Sequence, residues 1–175
     1  MAKYKIIDNA LPVEAFKILQ NIMLSSDFPW FYSRNVNSQK DDFVSDAHYW
    51  YKFSHLFYNR GTSRSNYFGD ISPLLNVIDP MAIIVSRGFL LPYTGNKVNF
   101  GYHKDIYSTN DPGLYEQIKV AVFYLNTNNG GTMFKSGEFV ESVENRLLLF
   151  NVKEEHASVT ADNTSARILI NTIYF

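Results

Sequence analysis

Phe100-Gly101-Tyr102-His103-Lys104-Asp105 places an imidazole and a carboxylate two positions apart. In an extended backbone successive side chains point to opposite faces, so His103 and Asp105 would share one face and could grip one ion. Two protein ligands hold a divalent metal loosely. A third is available far downstream at His156, in Lys153-Glu154-Glu155-His156-Ala157-Ser158-Val159. Two histidines and one carboxylate on one side of an ion leave the opposite positions open, an arrangement suited to iron(II). An HxD pair alone occurs by chance in many chains, most often as a surface His and Asp with no metal. The surrounding sequence has to decide.

A chain of 175 residues and balanced composition suits one domain, 1–175, with a single substantial core. Aromatic content is the unusual feature, with 12 Tyr and 14 Phe, and it favours strands and aromatic-lined cavities over helix bundles. Lys and Arg total 16 against 17 Asp and Glu, with no run of like charge, so no nucleic-acid partner is expected. The absence of cysteine excludes disulfides, thiolate metal sites and a cysteine nucleophile. No apolar leader opens the sequence and no stretch is long enough to span a bilayer, so the expectation is a cytoplasmic protein with no membrane partner.

Tyr4–Ile7 reads as a strand, and Pro12, Glu14 and the spacing of Val13, Phe16, Leu19, Ile22 and Met23 predict a helix packed on the sheet. The polar run 35–46 reads as a loop, and 48–58 as an aromatic strand. Its histidines, His48 and His55, read as packing residues rather than ligands. Ser72 or Asp70 could cap a short helix that Asp79-Pro80 ends. From Ala82 onward strand candidates alternate with turns: 82–91, 99–105, 119–125, 132–134, 146–151 and 167–175. Short strands at this spacing argue for a sandwich or barrel.

Arg167 lies in an otherwise apolar strand, Ala166-Arg167-Ile168-Leu169-Ile170, where a buried charge demands a partner. If residues 156 and 167 sit on the two strands of a hairpin closed by the polar turn 161–165, the guanidinium faces the metal's cavity. An Arg there suits the far carboxylate of a dicarboxylate, which it can hold bidentately.

In order and spacing, His103-x-Asp105, His156 and Arg167 resemble the iron(II) and 2-oxoglutarate dependent dioxygenases, particularly the prolyl-hydroxylase-like branch. Phe123-Tyr124-Leu125-Asn126 followed by Gly130-Gly131-Thr132-Met133-Phe134 looks like that branch's YLN turn and GG-containing strand, and Asn145-Arg146-Leu147-Leu148-Leu149-Phe150 like the strand before its second histidine. The match covers 93–175, and the whole chain, N-terminal helix included, is similar to small phage-encoded members. The resemblance implies a mainly β fold, a double-stranded β-helix or jelly roll with helices packed on one side. It implies iron(II) at His103, Asp105 and His156, with 2-oxoglutarate as cosubstrate and molecular oxygen as oxidant. Arg167 and Tyr124 would hold the cosubstrate's distal carboxylate, with Tyr93 lining the same pocket. Leu169 departs from related branches that place a Ser there.

The implied reaction releases succinate and carbon dioxide while hydroxylating a substrate. The presence of Asp105 favours hydroxylation over halogenation, which needs that coordination position for a halide. Trp30, Phe31 and Tyr32 and the turn 61–66 are candidates for a mouth over the metal, suited to a peptidyl proline or a small amino-acid-like group, or else they are core. Two other classes fit the same residues. One is a non-catalytic metal-binding jelly roll for a small ligand, and the other a zinc hydrolase with Glu154 or Glu155 as base.

Overall fold

The computed structural model describes residues 3–33, 51–106 and 111–175. The expected loop 35–46 and His48 lie outside the described residues. Within them the strands are β1 (Tyr4–Ile7), β2 (Phe31–Ser33), β3 (Lys52–Asn59), β4 (Thr62–Ser63), β5 (Ile83–Pro92), β6 (Lys119–Tyr124), β7 (Gly131–Phe134), β8 (Phe139–Glu141), β9 (Arg146–Asn151), β10 (His156–Val159) and β11 (Ala166–Tyr174). The helices are α1 (Val13–Leu24), α2 (Ser72–Ile78) and α3 (Pro112–Gln117).

A large antiparallel sheet runs β1-β9-β6-β11-β5-β3-β2, with β4 on β3, and a smaller one runs β10-β7-β8. The chain is a double-stranded β-helix, and the alternation of side chains along its central strands shows why. On β11, Ile168, Ile170 and Tyr174 point to the helix side, where they meet Phe16, Leu19 and Met23 of α1 and Leu74 and Ile78 of α2. Leu169 and Ile173 point the other way, into an interior shared with Val120, Val122 and Tyr124 of β6 and Phe134 of β7. β6 divides likewise, with Ala121 and Phe123 facing the helices. A strand buried on both faces reads as a continuous apolar run, which is how β6 and β11 appear in the sequence.

The N-terminal helix runs as its periodicity predicts, although Val13 is exposed and the buried stripe begins at Phe16. α2 has neither expected cap. A 3₁₀ turn, Asn66–Ile71, runs straight into it, and Ser65 caps that turn through the Tyr67 amide. The helix ends at Asp79, in the left-handed conformation with φ of 45°, just before Pro80.

Two expectations near the site are corrected. Residues 99–105 form no continuous strand. They touch β10 through isolated bridges, Asn99 to Val159 and His103 to His156, leaving four steps on one side against three on the other. Gly101 absorbs the slip with φ of +80°, which a side-chain-bearing residue adopts only at a cost. Nor do His156 and Arg167 share a hairpin. β10 pairs with β7 in the small sheet, whereas β11 pairs with β5 and β6 in the large one. The turn 161–165 therefore carries the chain between sheets, because both faces of β11 have apolar surface to bury.

Candidate metal centre

His103 and His156 stand opposite each other across a two-way backbone bridge, with N···O distances of 2.9 and 3.0 Å. Their rings lie 4.7 Å apart between centroids. Each ring turns its Nδ1 to a nearby carbonyl, His103 to Gly101 at 3.3 Å and His156 to Glu154 at 3.0 Å. A carbonyl can only accept, so Nδ1 carries the proton on both rings and both Nε2 lone pairs are available to a metal. The Asp105 carboxylate faces those atoms, with Oδ1 3.9 Å from Nε2 of His103 and Oδ2 3.8 Å from Nε2 of His156. One ligand atom from each residue falls within 4.8 Å of the others. These separations suit three donors around one ion at ordinary bond lengths. Burial, then the neighbouring His156, lowers the pKa of His103, which favours the neutral ligand form.

The local fold supplies further support that the sequence alone did not single out. Asn171 on β11 donates from Nδ2 to Asp105 Oδ2 at 3.4 Å, and Phe150 packs edge-on against His156 at 4.7 Å. Asn171 is four residues after Arg167, so the two share a face of β11. That periodicity was the available signal, and it is informative only once β11 is known to line the interior.

Arg167 is 1% exposed and lies in that interior despite the absence of a hairpin. Its Nη1 donates to Ser158 Oγ at 2.7 Å, and Ser158 shares a face of β10 with His156. Its guanidinium stands 5.3 Å from the Tyr124 ring, and its Nε is buried with no hydrogen-bond partner. Among the described residues no carboxylate pairs with it. Gly130 makes room for it: a Cβ there would come within 2.9 Å of Arg167 Cδ and 2.8 Å of the Val159 carbonyl.

No family model matches the chain. No curated protein matches it in sequence. Solved structures do match it in shape. It superposes with a TM-score of 0.67 and 16% identity on a prolyl hydroxylase from Trichoplax adhaerens in complex with a hypoxia inducible factor oxygen degradation domain peptide fragment, over 99% of this chain and 83% of that one. A Pseudomonas putida prolyl-4-hydroxylase matches at 0.63 and 15% identity, over 98% and 91%. HygX from Streptomyces hygroscopicus, with nickel and 2-oxoglutarate bound, matches at 0.59 and 9%, over 98% and 82%. The fold is that of the iron(II) and 2-oxoglutarate dependent dioxygenases.

In this dioxygenase fold Tyr124 is fully buried beside Arg167, and its hydroxyl shares a 2.8 Å hydrogen bond with Thr132. Burial pushes its pKa up while Arg167 pulls it down, so the phenol stays protonated. Tyr93 stands just past the end of β5, half-exposed, and its hydroxyl donates to the Gly95 carbonyl at 3.1 Å. Among the described residues it makes no hydrogen bond to Arg167 or Tyr124. His55 is a packing residue, as its sequence context suggests: Nδ1 meets the Pro29 carbonyl at 2.8 Å and Nε2 the Ser65 hydroxyl at 2.7 Å.

The aromatic stretch before β3 divides. Trp30 packs on the helix-side core, whereas Phe31 and Tyr32 are exposed at 62% and 63%. Phe31 joins Pro29, His55, Arg64, Ser65 and Tyr67 around a pocket of about 460 Å³, but none of His103, Asp105 and His156 lines it, so it is not shown to open over the metal site. Glu155 pairs with Lys135 at 2.8 Å on the surface.

Proposed function

We propose that the chain is, as one domain 1–175, an iron(II) and 2-oxoglutarate dependent dioxygenase that hydroxylates a small amino-acid-like or peptidyl substrate, with proline the first candidate. The observation that carries this reading is Arg167, a buried cation with no carboxylate partner among the described residues, facing the same interior as the triad. A buried charge is tolerated only with a partner, and a dicarboxylate with one end at the metal supplies it. A binding module for some other ligand has no need of such a cation. A zinc hydrolase needs a base near the metal, and the Glu155 carboxylate is engaged by Lys135 at the surface.

His103, Asp105 and His156 would hold iron(II) through two Nε2 atoms and one carboxylate oxygen. When bound, iron supplies the oxygen chemistry, in which 2-oxoglutarate and dioxygen become succinate, carbon dioxide and a hydroxyl on the substrate carbon. The chain's own work is positioning. Gly101 and Glu154 carbonyls fix the imidazole tautomers, Asn171 orients Asp105, and Arg167, braced by Ser158, receives the distal carboxylate. The apolar interior around Val122, Leu148 and Phe150 excludes water from the site.

Purified protein incubated with iron(II), oxygen and 2-oxoglutarate should release succinate even without substrate. Proline-containing peptides and free amino acids should then be screened for stimulation. Arg167→Lys should raise the KM for 2-oxoglutarate about tenfold or more while metal binding survives, because a point charge cannot reproduce the fork. An unchanged KM would remove Arg167 from the cosubstrate's site.

A further inference from the structure

Ser158 stands where the two sheets meet at Arg167. On β10 it pairs directly with Thr132 of β7, so both side chains leave the same face of the small sheet, the face that carries His156 two positions earlier. From the large sheet, Arg167 Nη1 donates to Ser158 Oγ at 2.7 Å, and the Tyr124 hydroxyl shares a 2.8 Å hydrogen bond with Thr132. His156 and Ser158 lie roughly 7 Å apart along the strand. One strand thus carries an imidazole of the triad and, at a separation that suits a short dicarboxylate, a hydroxyl set against a cation.

Two donors at this contact are left over. A hydroxyl has one hydrogen to give and two lone pairs. Ser158 Oγ accepts from Arg167, so its own hydrogen points elsewhere, and among the described residues no acceptor takes it. The Arg167 Nε is likewise buried with no partner. Two spare donors beside one buried positive charge call for an anion with two acceptor atoms, which a carboxylate is. Accepting from the guanidinium also polarises the Ser158 O–H and makes it the stronger donor. Exposure singles out the same residue. Arg167, Tyr124 and Thr132 are all buried, whereas Ser158 keeps part of its surface open.

We propose that Ser158 is a direct ligand of the cosubstrate's distal carboxylate, giving its hydroxyl hydrogen to one carboxylate oxygen while its own oxygen anchors the Arg167 fork. The proposal rests on the dioxygenase reading and adds to it a residue that selects a dicarboxylate over a 2-oxo acid with an apolar tail. Such a tail would leave both the Ser158 hydrogen and the Arg167 Nε unpaired, and a buried donor left unpaired costs its full desolvation.

The test titrates the full chain loaded with zinc(II), so that no turnover is required, and reads binding by calorimetry. The probes are 2-oxoglutarate and 2-oxopentanoate, in which a methyl replaces the distal carboxylate. Ser158→Ala should weaken 2-oxoglutarate about tenfold or more, as loss of a hydrogen bond to a charged group does, and leave 2-oxopentanoate and zinc(II) affinity within about twofold. Ser158→Thr keeps a hydroxyl on a side chain that strands favour and should hold 2-oxoglutarate within about threefold of wild type. Added to Arg167→Lys, Ser158→Ala should weaken 2-oxoglutarate again. A loss shared equally by both acids, no loss in Ser158→Ala, or a Ser158→Thr variant as weak as Ser158→Ala overturns the proposal. So does a loss that vanishes in the Arg167→Lys background, since Ser158 would then act only through the guanidinium. Failure of the wild type to bind 2-oxoglutarate in preference to 2-oxopentanoate would instead strike the dioxygenase reading itself.

Discussion

As proposed ligand and its hydrogen-bond partner, Asp105 and Asn171 would act on a bound metal at different removes, and substitution should separate them. Asp105→Ala deletes a donor atom and should weaken iron(II) or zinc(II) binding by more than about 100-fold, with loss of succinate release. Asn171→Ala removes only the amide that steadies the carboxylate and should cost about tenfold, the lower end for an outer-shell partner. Competition titration with a metal-sensitive chelator reads both. Similar losses in the two variants would mean that Asp105 is no ligand. The donors at 103 and 105 were legible in the sequence because only two residues separate them. Asn171 was not, since its relation to Asp105 spans 66 positions and exists only after the sheets close.

At the scale of single elements, the approach of β7 to β11 depends on Gly130. A methyl there meets the Val159 carbonyl at 2.8 Å and the Arg167 stem at 2.9 Å, so Gly130→Ala should destabilise the protein by about 1–3 kcal/mol. It should also raise the KM for 2-oxoglutarate, which a purely structural role would leave alone. β3 offers a pH test. Burial holds the His55 pKa below its ordinary value, outweighing the Pro29 carbonyl that favours the charged ring. The folded state then binds fewer protons than the unfolded one. Stability is full above about pH 6.5, where both are neutral, and falls as pH drops below that value until the folded ring also protonates. Urea unfolding at pH 7.5 and 5.5 should show this loss in the wild type and a smaller one in His55→Gln. An equal loss in both would assign the acid sensitivity elsewhere.

For the molecule as a whole, a bound ion should tie residues 103–105 to β10 and so hold the small sheet in place. Metal at about 100 times its Kd should stabilise the fold by about 2.7 kcal/mol, read as a rise in Tm that EDTA reverses and His156→Ala abolishes. 2-Oxoglutarate should raise the Tm further in the metal-loaded wild type and not in Arg167→Lys. Much of this architecture was readable from the amino acids alone. The apolar runs of β5, β6, β9 and β11, the α1 stripe and the turn residues between them depend on local chemistry that a sequence displays directly. The triad and the buried arginine were legible as residue types in a meaningful order. The tertiary structure decided the rest. It placed β10 and β11 in different sheets, bent residues 99–105 at Gly101, left Phe31 exposed while packing Trp30 against the helix-side core, and brought Asn171 to Asp105. Each of these depends on which surfaces meet when two sheets close over one interior, a long-range choice that no local pattern records.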